Sequence, residues 1–186
     1  MSTHFRDIDA VMAYFGDKEN RERSPIKSKP VSATRLSGGL MNYVYRLKLE
    51  DGGSIILKVF EDHMAGNSEN KLPKMRYFIE KNALDALSKQ ECFNESIIRT
   101  PKLFGFDDSL FALFMEDCGE NLVCASEILK NDFHLPNTAH LGDEEREQAL
   151  LNFLDQFARA VRSFDAKLKF ETNIRRDTHD LMSDNF

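Results

Sequence analysis

Two glycine pairs, Gly38-Gly39 and Gly52-Gly53, cut the stretch from Val31 to Phe60 into segments too short for a helix of ordinary length. Val31–Leu36, Tyr43–Glu50 and Ser54–Phe60 are therefore expected to be three strands. Ser37-Gly38-Gly39-Leu40 joins the first pair and Asp51-Gly52-Gly53 the second, and glycine-rich turns between such runs are a hairpin signal. Hairpin-linked neighbours run antiparallel, so this region does not read as a doubly wound parallel sheet.

Downstream the period changes. Asn67–Lys74 reads as a loop leading into a helix over Met75–Lys89, with Phe78, Ala83, Leu84 and Leu87 near one face. Pro101–Phe106 and Leu110–Met115 read as two more strands around an Asp107-Asp108-Ser109 turn. Asp143–Lys167 has an acidic first turn and Leu150, Leu154, Phe157 and Val161 at helical spacing, which predicts a long helix. Upstream, Ile8, Val11, Met12 and Phe15 predict a short amphipathic helix, and the charged stretch from Gly16 to Pro30 reads as a linker. Gly119–Leu141 reads as a connector with one short helix around Ser126–Lys130. The expected class is α+β, in three parts: residues 1–30, a helix and linker; 31–119, a five-stranded antiparallel sheet plus helix; and 120–186, helical.

Composition narrows the partners. A net charge of −6 argues against broad binding to nucleic acid or to an anionic membrane, both of which call for clustered Lys and Arg. Cys92, Cys118 and Cys124 are an odd number without metal-like spacing and read as free thiols of a reducing, cytoplasmic compartment. Neither a secretory pattern nor an apolar run of membrane-spanning length is present in the sequence.

Four segments carry chemistry. In Leu36–Tyr45, Gly38 and Gly39 would let backbone amides approach phosphate oxygens, although the turn alone also fits an ordinary hairpin. No Gly-Lys-Ser/Thr follows it, and a strand follows where a dinucleotide fold would open a helix. Lys58 lies inside Ile55–Phe60, where alternation puts Ile56, Lys58 and Phe60 on one face and Ile55, Leu57 and Val59 on the other. A lysine there is costly to bury without an anion. Glu80 is the favoured partner, with Glu69, Asp85 and Glu91 as alternatives, and a lysine so held is poised to contact the α- and β-phosphates of a nucleotide. Phe114–Gly119 ends a strand in a polar segment whose backbone could sit beside an adenine edge. Finally, Asp180 and Asn185 have the spacing for a base that takes a hydroxyl proton and an amide oxygen that holds magnesium, a weak pattern by itself.

Taken together, these residues resemble the aminoglycoside phosphotransferase and choline kinase superfamily, of protein-kinase-like fold. The resemblance places the nucleotide loop on Gly38, Gly39 and Asn42, the phosphate lysine on Lys58 and its helix partner on Glu80. It places the adenine-contacting hinge on Met115, Glu116, Asp117 and Cys118. His179-Asp180-Leu181-Met182-Ser183-Asp184-Asn185 is similar to the family's catalytic loop, which makes Asp180 the base and Asn185 a magnesium ligand, although the residue between histidine and aspartate has no counterpart. The implied activity is transfer of the γ-phosphoryl group of ATP, with Mg2+, to a hydroxyl or amine of a small molecule. The family's second magnesium-binding aspartate and its remaining helices would lie past Phe186. The chain is thus expected to be incomplete or weakly active as a catalyst, or else a kinase-like module that binds nucleotide or a partner without transfer. Uncovered helices further predict an apolar patch along Phe153, Phe157 and Phe164, available for self-association.

Overall fold

A computed structural model describes residues 5–37, 39–88, 100–120, 122, 138 and 140–167, with side chains as far as 162. Helices α1 (Ile8–Gly16) and α2 (Lys18–Arg23) precede strands β1 (Pro30–Arg35), β2 (Tyr43–Leu49) and β3 (Ser54–Val59). A short hairpin of β4 (His63–Met64) and β5 (Asn67–Lys71) leads to helix α3 (Met75–Ser88). Strands β6 (Leu103–Asp107) and β7 (Ala112–Glu116) follow, and then helix α4 (Asp143–Lys167). The sheet with α1–α3 forms one compact unit, and α4 belongs to a second.

The class is α+β, and the main sheet has five antiparallel strands in the order β1-β2-β3-β7-β6. Three consecutive strands lie side by side because tight turns connect them. The β2–β3 turn shows why glycine is needed: Gly52 sits at φ 85, donates its amide to the Leu49 carbonyl at 3.0 Å, and lets the Leu49 amide reach the Gly53 carbonyl at 2.8 Å. A side chain at that φ would be strained. β7 inserts beside β3, so β3 is central and paired on both edges.

Both faces of the sheet are covered around β3, as alternation along that strand requires. Ile55, Leu57 and Val59 join Tyr43, Tyr45, Leu47 and Phe114 under Phe5, Val11 and Phe15 of the N-terminal segment and α1. Each fully buried aromatic or aliphatic side chain of this kind contributes about 1.5–3 kcal/mol over exposure. Ile56 and Phe60 face the other way, with Leu113 and Met115, against Tyr77 of α3. Close packing also explains Gly105 in β6: a Cβ there would come within 2.6 Å of the Pro25 ring.

Several boundaries and elements differ from expectation. The charged stretch after α1 is not all linker. Asp17 caps α2 by accepting the Asn20 amide at 3.0 Å, and Lys18–Glu22 and Glu19–Arg23 pair one turn apart. Asn67–Lys71 is a strand, though all five residues are exposed. The α3 face is anchored by buried Tyr77 with Phe78 and Leu84, whereas Ala83 points to solvent. On α4, Phe153 and Phe157 stack at 6.1 Å and are 40% and 49% exposed, while the Phe164 side chain lies outside the described residues. The short helix expected around Ser126–Lys130 also lies outside them. No described helix is long and apolar enough to cross a membrane.

Candidate functional site

The α3-facing side of the sheet carries charge as well as apolar packing. Val44 and Arg46 of β2 stand opposite Lys58 and Ile56 of β3, so period-two alternation puts Arg46, Lys58 and Ile56 on one side. Lys58 pairs with Glu80 of α3, so of the partners open from sequence the structure selects Glu80. Their side chains are 21% and 32% exposed, which leaves the pair reachable from solvent. An ammonium has three N–H donors. Glu80 is the one hydrogen-bond partner of Lys58 among the described residues, so two donors remain for an anion. The Lys58 Nζ also lies 5.4 Å from the Phe60 ring centroid, within cation–π range.

Glu80 occupies that place because Tyr77 fixes the rotation of α3. The Tyr77 ring is fully buried against Phe60, Phe78 and Phe111, at centroid distances of 5.0–5.6 Å. Its hydroxyl donates to Asp108 at 2.7 Å, and burial, followed by that contact, drives its pKa well above the ordinary phenol value. Lys81 also donates to Asp108, at 2.8 Å, which holds the Asp108 carboxyl below the usual range, with the Tyr77 hydroxyl adding to the effect. Residues 77, 80, 81 and 84 share one helical face, and the two charges on it are tolerated because each meets a counter-charge.

The glycine turn precedes β2 at the end where Val44 stands opposite Lys58. Leu36 donates to Val44 at 2.8 Å, which closes the turn, and the Gly66 amide of the β4–β5 hairpin donates to Leu40 at 3.1 Å. A Cβ on Gly39 would meet nothing within 4 Å, so space stands open beside that backbone. Gly38 lies outside the described residues. Asn42 is not aimed into that space alone: its Oδ1 accepts from Arg76 Nη1 at 2.7 Å. Arg76 had no sequence signal, because its other acceptors are backbone carbonyls, of Glu61 at 2.9 Å and Pro73 at 3.1 Å. Burial lowers the Arg76 pKa, and the Glu80 charge one turn along pulls it back up.

The segment expected to be a hinge is tied down by side chains. Met115 is buried with Ile56 and Leu113. The Glu116 amide is taken by the Lys102 carbonyl at 2.8 Å, which continues the β6–β7 ladder. Asp117 receives Arg46 through Nε and Nη2 at 2.7 and 2.8 Å, and Ser54 Oγ at 2.6 Å. Cys118 is a half-buried free thiol. Asp180 and Asn185 fall outside the described residues.

One further cluster could hold a metal ion. Ligand atoms of Glu61, Asp62 and His63 lie within 4.8 Å of one another. His63 is buried, its Nδ1 is 2.9 Å from Asp62 Oδ1, and its Nε2 is buried without a hydrogen-bond partner. The His63 contact holds the Asp62 carboxyl below its ordinary value. Compared with models of known protein families and with curated proteins, the chain matches none.

Proposed function

We propose that this chain is the nucleotide-gripping part of an ATP-dependent phosphotransferase of the small-molecule kinase type, whose acceptor is a hydroxyl or amine. The observation that carries the reading is the Lys58–Glu80 pair. It is partly exposed on the α3 side of an antiparallel sheet, with two lysine donors to spare among the described residues. A lysine held in this way contacts α- and β-phosphates as a point charge, and the open backbone at Gly39 is suited to phosphate oxygens arriving from the turn. Asp180 as base and Asn185 as a magnesium ligand complete the reading, on the strength of the family resemblance alone.

A second reading, a kinase-like module that binds nucleotide without transfer, is favoured by one observation. The Lys58–Glu80 and Arg76–Asn42 contacts supply charge and positioning, which binding requires with or without transfer. Both readings require that Mg-ATP stabilise the fold. A ligand present at about a hundred times its Kd adds about 2.7 kcal/mol, which a thermal melt resolves. The Lys58→Glu variant should lose that gain. Steady ATP consumption with one member of a panel of hydroxyl and amino compounds selects the enzyme, and a shift without consumption selects the module. A wild-type melt unmoved by Mg-ATP overturns both.

A further inference from the structure

Arg76 is the junction between the two halves of the candidate site. Its guanidinium reaches the side chain of Asn42 in the glycine turn, the Glu61 carbonyl just past β3 and the Pro73 carbonyl just before α3. Its Cζ lies 5.7 Å from the Phe60 ring centroid, and Lys58 Nζ lies 5.4 Å from the same centroid. Glu80, the partner of Lys58, is one helical turn further along α3, on the same face as Arg76.

We propose that Arg76 is a positioning residue that latches the glycine turn to α3, so that the turn and the Lys58–Glu80 pair engage the phosphates of one nucleotide as a unit. The inference rests on the nucleotide reading above. Its physical basis is the planar fork of arginine, which holds three acceptors in fixed relative directions; an ammonium on a flexible stem cannot reproduce this. When phosphates draw the turn inward, the Asn42–Arg76 bond pulls on the first turn of α3, and that helix carries Glu80. Conversely, α3 held in place by buried Tyr77 keeps the turn from drifting outward. The effect is specific to ligands that carry phosphate, because a nucleoside touches neither the turn amides nor Lys58.

The test compares Mg-ATP and adenosine by calorimetry on wild type, Arg76→Lys, Asn42→Ala and the double variant, each checked for native circular dichroism. Arg76→Lys retains the charge and the aliphatic stem, so the fold has every reason to form. Mg-ATP affinity is expected to fall about tenfold or more in each single variant, while adenosine affinity stays within about twofold; tenfold corresponds to about 1.4 kcal/mol. The double variant should be no weaker than the worse single, because both changes cut one link. Unchanged Mg-ATP affinity in the single variants overturns the latch and leaves the nucleotide reading standing. Parallel loss of adenosine, or losses that multiply in the double variant, overturns it as well. A wild type that binds neither ligand overturns the nucleotide reading, and the latch falls with it.

Discussion

Removing the Asp117 carboxylate should be among the most damaging single changes to the sheet unit. Arg46 and Asp117 are only 13% and 7% exposed, and the guanidinium makes two parallel bonds of 2.7 and 2.8 Å to the carboxylate. In Asp117→Ala that guanidinium keeps its place on the α3 side of the sheet but loses both of these bonds. Breaking a buried pair from one side costs about 3–5 kcal/mol, far more than the pair contributes over an apolar replacement. With a urea slope of about 2 kcal/mol/M, a loss of about 4 kcal/mol lowers the unfolding midpoint by about 2 M at constant slope. Replacing both partners, as Arg46→Met with Asp117→Leu, leaves neither half of the pair behind, so the double variant should recover to within about 1–2 kcal/mol of wild type. Ser54, which donates to Asp117 at 2.6 Å, is exposed and can turn to water in that variant. Urea melts of wild type, Arg46→Met, Asp117→Leu and the double complete the cycle, with Asp117→Ala measured alongside. If Asp117→Ala costs less than about 1 kcal/mol, or if the double loses the sum of the singles, the reasoning from buried charge fails.

Two pH dependences follow from the tyrosine and aspartate contacts. The buried Tyr45 hydroxyl donates to the Phe5 carbonyl at 2.9 Å, and burial pushes its pKa from 10.0 up to about 12. Its contribution is therefore complete below pH 10 and is lost as pH rises towards 12. Tyr45→Phe should cost about 1 kcal/mol at pH 8, and the gap to wild type should close by pH 11 in guanidinium melts. The Asp108 carboxyl, lowered from 3.8 by Lys81 and Tyr77, contributes above pH 3.8 and loses that contribution as pH falls through its folded value. Asp108→Asn should thus have a shallower acid limb than wild type in thermal melts between pH 5 and 2, and a steeper limb would refute the assignment.

The legible part of this fold was the part specified by neighbours in sequence. Glycine pairs declared the first two hairpins, and the alternation of Ile55–Phe60 placed Lys58 opposite Leu57 across the sheet, as the two packed clusters bear out. The Asp143–Lys167 helix was legible from spacing and its acidic start. By contrast, β5 is exposed along its whole length, so no alternation marks it, and α2 contains no buried residue, being held by a cap and two pairs one turn apart. In the site, Lys58 was visible because a lysine in an apolar strand is costly. Glu80, the partner favoured from the sequence, is the one the structure pairs with it, and the rotation that buried Tyr77 imposes on α3 places it there. Arg46–Asp117 spans 71 positions, and Arg76 binds mostly carbonyls, which every residue offers.

The two ion pairs on this side of the sheet differ in burial and in how fully their donors are used. Arg46 and Asp117 meet through a two-bond fork in near-complete burial, and Ser54 takes a further share of the carboxylate. A ligand arriving there would have to break good bonds before making any. Lys58 and Glu80 meet through one bond, with roughly a quarter of each side chain open to solvent and donors left over on the ammonium. An anion can add to that pair without dismantling it, because lysine offers its donors in a rotating tripod rather than a planar fork. The arginine that does form a fork nearby, Arg76, directs it at a side chain and two backbone carbonyls and so binds the frame rather than a ligand. Charge on one side of a sheet is thereby divided: arginines hold the turn and the residue just past β7 in place, and the lysine of the Lys58–Glu80 pair keeps donors facing solvent.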